Sequence, residues 1–307
     1  MRVAVMGAGA VGSYFGAKLA RADHEVWFIS RGERLKAFRT TGVRVESIDG
    51  DFEIVPTRAI RDPSSVGKVE LVLFTVKSAD TRRAAEEAMP LVGPYTTVLA
   101  LQNGVDNEVI LEQVLGGHSI VPGVAVIGVS MPEPGLVRHT NNGTITLGEV
   151  SGEGSDRVNY ICQTFADAGV ETRVSADIRT VKWKKLIWNA AFNPIAALTG
   201  NRVLGLIEDD DSRTLAEGAM REAIDVGVAL GYDVGDYDMA RATQRNPNWA
   251  RSKTSMLQDV ERGIPTEIEA LTGAVVKYGK QTGVPTPVCT TLLRLVRAKE
   301  RELGNDE

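Results

Sequence analysis

Three glycines spaced Gly7-x-Gly9-x-x-Gly12, entered directly from the apolar run Val3 to Met6, constrain this chain more than any other stretch. In such a turn the first glycine permits the sharp reversal, the second lets the backbone approach a pyrophosphate, and the third lets the following helix pack against the strand. Free amides at the start of that helix then face negative charge, which the helix dipole favours. Gly7, Ala8, Gly9, Ala10, Val11 and Gly12 therefore form a candidate dinucleotide cradle.

The flanking sequence fits. Tyr14 to Arg21 continues as a helix, and Glu25 to Ser30 reads as a second strand, giving a βαβ unit of roughly 30 residues, the length this fingerprint demands. The tip of the second strand sorts the cofactor. An acidic residue there would bond the ribose 2′-hydroxyl of NAD, whereas arginine accommodates the 2′-phosphate of NADP. The chain carries Ser30-Arg31-Gly32-Glu33-Arg34, so Arg31, planar and always charged, points to NADP, while Glu33 keeps NAD as the alternative.

Length and charge bound the rest. A chain of 307 residues exceeds what one core usually fills and predicts two domains. A net charge of −5 with interspersed signs offers no basic face to nucleic acid. Cys162 and Cys289 are far apart and His24, His118 and His139 form no ligand spacing, so neither a disulfide framework nor a metal site is expected. The opening strand leaves no room for a signal peptide, and no apolar run is long enough to cross a bilayer, which predicts a cytoplasmic protein without a membrane partner.

Through the first half, strand-like runs (43–48, 52–55, 71–76, 97–101) alternate with helical ones (81–91, 106–115), the signature of a mainly parallel sheet covered by helices. The stretch 120–149 is interrupted by Pro122, Pro132, Pro134, Gly135 and Gly143 and reads as antiparallel edge strands. After about residue 177 long helical patterns take over, at 178–197, 212–230, 237–245, 266–281 and 287–303, with a frayed tail from Gly304. The predicted fold is α/β: an N-terminal, Rossmann-type doubly wound sheet over 1–176, then an all-helical domain over 177–307. Since ligands of open α/β sheets sit at strand carboxyl ends, the active site is expected in a cleft between the halves.

The helix beginning at Ile178 carries Lys185, Asn189 and Asn193 four residues apart, hence on one stripe, amid Leu186, Ile187, Trp188, Ala190, Ala191 and Phe192. A helix apolar on its other sides is usually buried, and a buried polar stripe needs partners or a ligand. The plainer alternative is a solvated stripe. Pro194 removes one helical hydrogen bond near Ala190 and predicts a kink. A second polar cluster spans Ser252 to Asp259, and Thr266 with Glu269 reads as a capping box opening the next helix. At the ends of first-half strands stand Lys77 and Gln102-Asn103-Gly104, which read either as cofactor contacts or as a surface lysine and a simple turn.

In their order these pieces, the glycine loop, Arg31, Val76-Lys77, Gln102-Asn103-Gly104, the Lys182-to-Pro194 segment, Ser255 to Asp259 and Thr266-Glu267-Ile268, resemble the ketopantoate reductase family over essentially the full chain. The resemblance implies NADPH-dependent reduction of a 2-keto acid, ketopantoate, to (R)-pantoate on the route to pantothenate and coenzyme A. It implies Lys185 as general acid and Asn189, Asn193 and Ser255 as substrate-binding groups. Lys77 and Asn103 would contact both cofactor and substrate, and Glu267 joins the cofactor-binding set. A homodimer is a natural expectation. Two alternatives stay open: an NAD(P)-dependent (R)-2-hydroxyacid dehydrogenase acting on another branched 2-keto acid, and a non-catalytic dinucleotide-binding sensor.

Overall fold

Strand β1 (Arg2–Met6) shows why the chain opens on a central strand: Val3 and Val5 enter one hydrophobic cluster while Ala4 and Met6 enter another. A strand buried on both faces belongs inside a sheet with helices on two sides. The structure, a computed structural model, describes residues 1–116, 120–244 and 252–305. His118, the end of the helix expected at 237–245 and the last two tail residues lie outside them. Contacts divide the chain into two units, Met1–Gln102 with Asn107–Ile178, and Asn103–Asp106 with Arg179–Glu307.

In the first unit the further strands are β2 (Glu25–Ile29), β3 (Val43–Ser47), β4 (Phe52–Ile54), β5 (Arg58–Ile60), β6 (Leu71–Phe74), β7 (Thr97–Ala100), β8 (Ile120–Glu133), β9 (Leu136–Leu147) and β10 (Thr172–Val174). Strands β5-β2-β1-β6-β7-β8 lie side by side and parallel, and the order reverses between β1 and β6. That is the doubly wound arrangement, whose ligand crevice lies at the reversal. Helices α1 (Ala10–Arg21) and α5 (Asp156–Asp167) supply Phe15, Ala17, Ile161 and Phe165 to the cluster of Val3 and Val5. Helices α3 (Thr81–Ala88) and α4 (Asn107–Leu115) supply Ala84, Ala85 and Leu111 to that of Ala4 and Met6. Helix α2 (Gly32–Thr40) follows β2.

The stretch 120–149 does not form edge strands. β8 and β9 make an antiparallel hairpin, but β8 also pairs in parallel with β7, and β9 pairs in parallel with β3 and β10. The hairpin is thus interior to the sheet. Burial of Ile120 to Ala125 explains this, because such a run needs neighbours on both sides.

The second unit is helical among the described residues: α6 (Ile178–Thr199), α7 (Val203–Glu208), α8 (Asp210–Ala229), α9 (Met239–Ala242), α10 (Ser255–Glu261), α11 (Thr272–Thr282) and α12 (Pro287–Asn305). Its cluster is built on α6, where Trp183, Leu186, Ile187, Ala190, Ala191 and Phe192 are all buried. Helix α6 runs on through Pro194. The carbonyl of Ala190, which a proline four residues on cannot satisfy, accepts a 3.0 Å hydrogen bond from the buried hydroxyl of Thr272. The capping box is also corrected: α11 begins at Thr272, since residues 267–271 form a separate turn, and Glu269 instead pairs with Arg297 at 2.5 Å. The cluster 252–259 becomes α10, capped by Thr254, whose hydroxyl accepts from Leu257 N at 3.2 Å.

Candidate active site

In the second unit, the partly buried side chain of Lys185 emerges from α6 between the buried residues Lys182 and Asn189. The Lys185 ammonium donates to Asn103 Oδ1 at 2.9 Å, and Asn103 Nδ2 donates to Glu267 Oε2 at 3.1 Å. One amide thus separates a cation from a carboxylate, and its two ends fix its orientation. Burial lowers the ammonium of Lys185 to about 8; the Glu267 carboxylate opposes the fall and the Lys182 ammonium adds to it. Glu267 and Lys182 are themselves buried. The ammonium stays mostly protonated at neutral pH yet holds its proton far less tightly than a surface lysine.

Asn103 reaches this position because residues 103–106 leave the sheet unit after β7. Asp106 receives the Lys277 ammonium at 2.7 Å and also the hydroxyl of Tyr278, and Val105 packs on the helical core. Gly104, at φ +91°, passes so close to α11's leading turn that a Cβ would stand 2.8 Å from the carbonyl oxygen of Ala270. The short segment is therefore clamped by charge, apolar burial and a side-chain-free backbone. Asn189 and Asn193, one and two turns along α6 from Lys185, are 9% and 2% exposed, so the two asparagines are buried rather than solvated. Ser255 opens α10 and is exposed.

In the first unit, the glycine loop lies at the reversal between β1 and β6. Gly7 has φ +95°, and a Cβ there would stand 2.6 Å from the backbone nitrogen of Val76. A Cβ on Gly12 would meet Thr75 and stand 2.5 Å from Gly7 O. At Gly9 the nearest atom would be 3.9 Å away, leaving its backbone approachable. Gly9 also caps α1 without a side-chain bond, and no acidic residue occupies the first turn, so the leading amides and the dipole face outward. Ala8 is buried beside them, and Ala10 and Val11 begin the helix. These features fit a pyrophosphate. Arg31 caps α2, and its Nη2 meets both carboxylate oxygens of Glu87 at 2.5 Å. Lys77 stands partly buried just after β6, ahead of a single 3₁₀ turn.

The chain matches the model of the ketopantoate reductase PanE/ApbA family over residues 3–152 and that of its C-terminal region over 177–300. It belongs to the ketopantoate reductase family. A 2-dehydropantoate 2-reductase of Mesorhizobium japonicum is 34% identical, with 99% of each chain covered. The crystal structure of a ketopantoate reductase of this family from Ralstonia eutropha superposes with TM-score 0.91 at 36% identity, covering 99% of this chain and 100% of that one. D-mandelate dehydrogenase, solved with NADH and anilino(oxo)acetate, shares the fold with TM-score 0.92 at 24% identity over 99% of both chains. Membership in the ketopantoate reductase family makes the chain an oxidoreductase.

The residues expected from the ketopantoate reductase pattern divide between the units. Gly7, Gly9, Gly12, Arg31 and Lys77 belong to the first; Lys185, Asn103, Asn189, Asn193, Ser255 and Glu267 belong to the second. Glu267, expected with the cofactor set, holds Asn103. Two residues support the first unit's loop and strand end: Thr75, which was not expected, and Gln102, which was expected as a cofactor contact or part of a turn. Thr75 donates its hydroxyl to Gly7 O at 2.8 Å and so pins the loop, and a threonine ending an apolar strand was the available signal. Gln102 donates to Val76 O at 3.1 Å and to Thr81 Oγ1 at 2.8 Å, bracing the backbone that precedes Lys77.

Proposed function

We propose that this chain catalyses NADPH-dependent reduction of ketopantoate to (R)-pantoate, with Lys185 as the proton donor. The observation that carries the reading is the partly buried Lys185 ammonium, lowered to about 8 and held by Asn103 in turn held by Glu267. A bound reduced nicotinamide supplies a hydride, two electrons and a proton nucleus, to the keto carbon. As charge grows on the keto oxygen, Lys185 stabilises it electrostatically and passes it the Nζ proton, leaving a neutral amine that solvent reprotonates. Asn189, Asn193 and Ser255 bind the keto acid. Gly7 to Gly12 hold the pyrophosphate, Arg31 takes the 2′-phosphate, and Lys77 contributes a second cation in the first unit.

The test is the rate of NADPH and NADH oxidation by purified protein with ketopantoate and with 2-ketoisovalerate. The highest kcat/KM belongs to NADPH with ketopantoate. Higher efficiency on ketoisovalerate would replace the reading with a 2-hydroxyacid dehydrogenase, and inactivity on every keto acid would favour a dinucleotide sensor.

Glu267→Gln isolates the carboxylate's electrostatic part, because glutamine still accepts from Asn103 while the negative charge is gone. Glu267 raises the Lys185 value, so its neutralisation lets that value fall further. The alkaline decline of kcat/KM then begins at lower pH, and the variant loses more rate at pH 8 than at pH 6. An unmoved or upward-moved limb would separate Glu267 from the titration of Lys185.

A further inference from the structure

The guanidinium of Arg31 already has an anion. On the surface of the first unit, Glu87, in the last turn of α3, meets Arg31 Nη2 with both oxygens at 2.5 Å. The pair is half exposed on the arginine side, at 50%, and less so on the glutamate side, at 31%. Glu87 has a second cation at hand: Arg83, one helical turn back, lies 3.5 Å away and also pairs with Asp80. The row Asp80, Arg83, Glu87, Arg31 is neutral overall.

We propose that Glu87 is a specificity-determining residue: it competes with the 2′-phosphate of NADP for Arg31 and so moderates the preference for NADP over NAD. This rests on the reading that Arg31 receives that phosphate. Glu87 holds both of its oxygens on Arg31 Nη2, so a phosphate competes with it for that arm of the fork and for the charge of the guanidinium. A phosphate that docks through Nη2 displaces Glu87, and one that docks beside it is repelled by the carboxylate; Arg83 on the same helix face is positioned to take a displaced carboxylate. NAD carries only a hydroxyl there and leaves the Arg31–Glu87 pair intact. The glutamate thus opposes one cofactor and is indifferent to the other.

Removing the charge with Glu87→Gln tightens binding of NADPH, and of the probe adenosine 2′,5′-bisphosphate, by about three- to tenfold at low salt, the scale of one partly screened charge contact. Binding of NADH and of AMP stays within about twofold, since neither carries a charge at that position. The gain disappears in an Arg31→Ala background and shrinks at high salt. Calorimetry and NADPH fluorescence read these constants without turnover, and a thermal melt shows that each variant is folded. If Arg31→Ala weakens NADPH but Glu87→Gln leaves the NADPH-to-NADH ratio unchanged or lowers it, the competition is overturned while the role of Arg31 stands. If Arg31→Ala leaves NADPH binding unchanged, the reading of Arg31 fails and the proposal falls with it.

Discussion

Lys185→Ala lowers kcat for ketopantoate reduction by about 10²–10⁴-fold, the range supplied by a positioned acid, while the NADPH dissociation constant changes by less than about threefold. The split between the two readouts carries the information. The lysine lies on α6 and the glycine loop follows β1; in the proposed reading that loop, with Arg31, holds the cofactor's phosphates, so loss of the ammonium is expected to spare cofactor affinity. The wild-type pH profile completes the prediction. An acid must be protonated to donate, so with the Lys185 ammonium at about 8, kcat/KM is level below that pH. Above it the rate falls about tenfold per pH unit. A flat profile through pH 9, or Lys185→Ala at wild-type rate, would remove the lysine from the chemistry.

Gly7→Ala gives the second large effect, on the cradle itself. The new methyl would sit 2.6 Å from Val76 N and 2.7 Å from the Thr75 carbonyl carbon, both backbone atoms that cannot rotate away, at a φ of +95° that L-residues rarely adopt. Strain and overlap together cost about 2–4 kcal/mol, visible as a Tm lower by roughly 5–15 °C. NADPH binding weakens by more than about tenfold because the loop must shift where its amides face the phosphates. Gly9→Ala provides the contrast. Its methyl meets nothing closer than 3.9 Å, so stability holds while NADPH affinity falls, since only the approach of a ligand is obstructed. Equal Tm losses in the two variants would mean that Gly9 serves the turn and not a bound phosphate.

Local patterns proved readable where a single periodicity carried them. Strand β1 alternates between two cores, and the Lys185, Asn189, Asn193 stripe follows from spacing alone. Helix α5 was not among the expected elements, although Ser155 caps it and Val158, Ile161 and Phe165 are buried at helical spacing. Strands β5 and β10, three residues each, are too short for alternation to register. The start of α11 was misplaced because Thr266 and Glu269 have capping spacing, while the tertiary structure assigns Glu269 to Arg297 and Thr272 to the carbonyl freed by Pro194.

By itself, then, the sequence determined the parts whose chemistry is local: a strand turning on Gly7 into an uncapped helix start, an arginine at the next strand's tip, and a lysine on an apolar helix. Folding alone decided which groups meet. Asn103 comes 82 residues before Lys185 and 164 before Glu267, and it joins them only because the 103–106 segment departs from the sheet unit to be clamped through Asp106. Arg31 likewise finds Glu87 across 56 residues. Hydrogen bonds and ion pairs over such separations leave no period in the chain, because their geometry is set by how strands and helices stack and not by the residues between them.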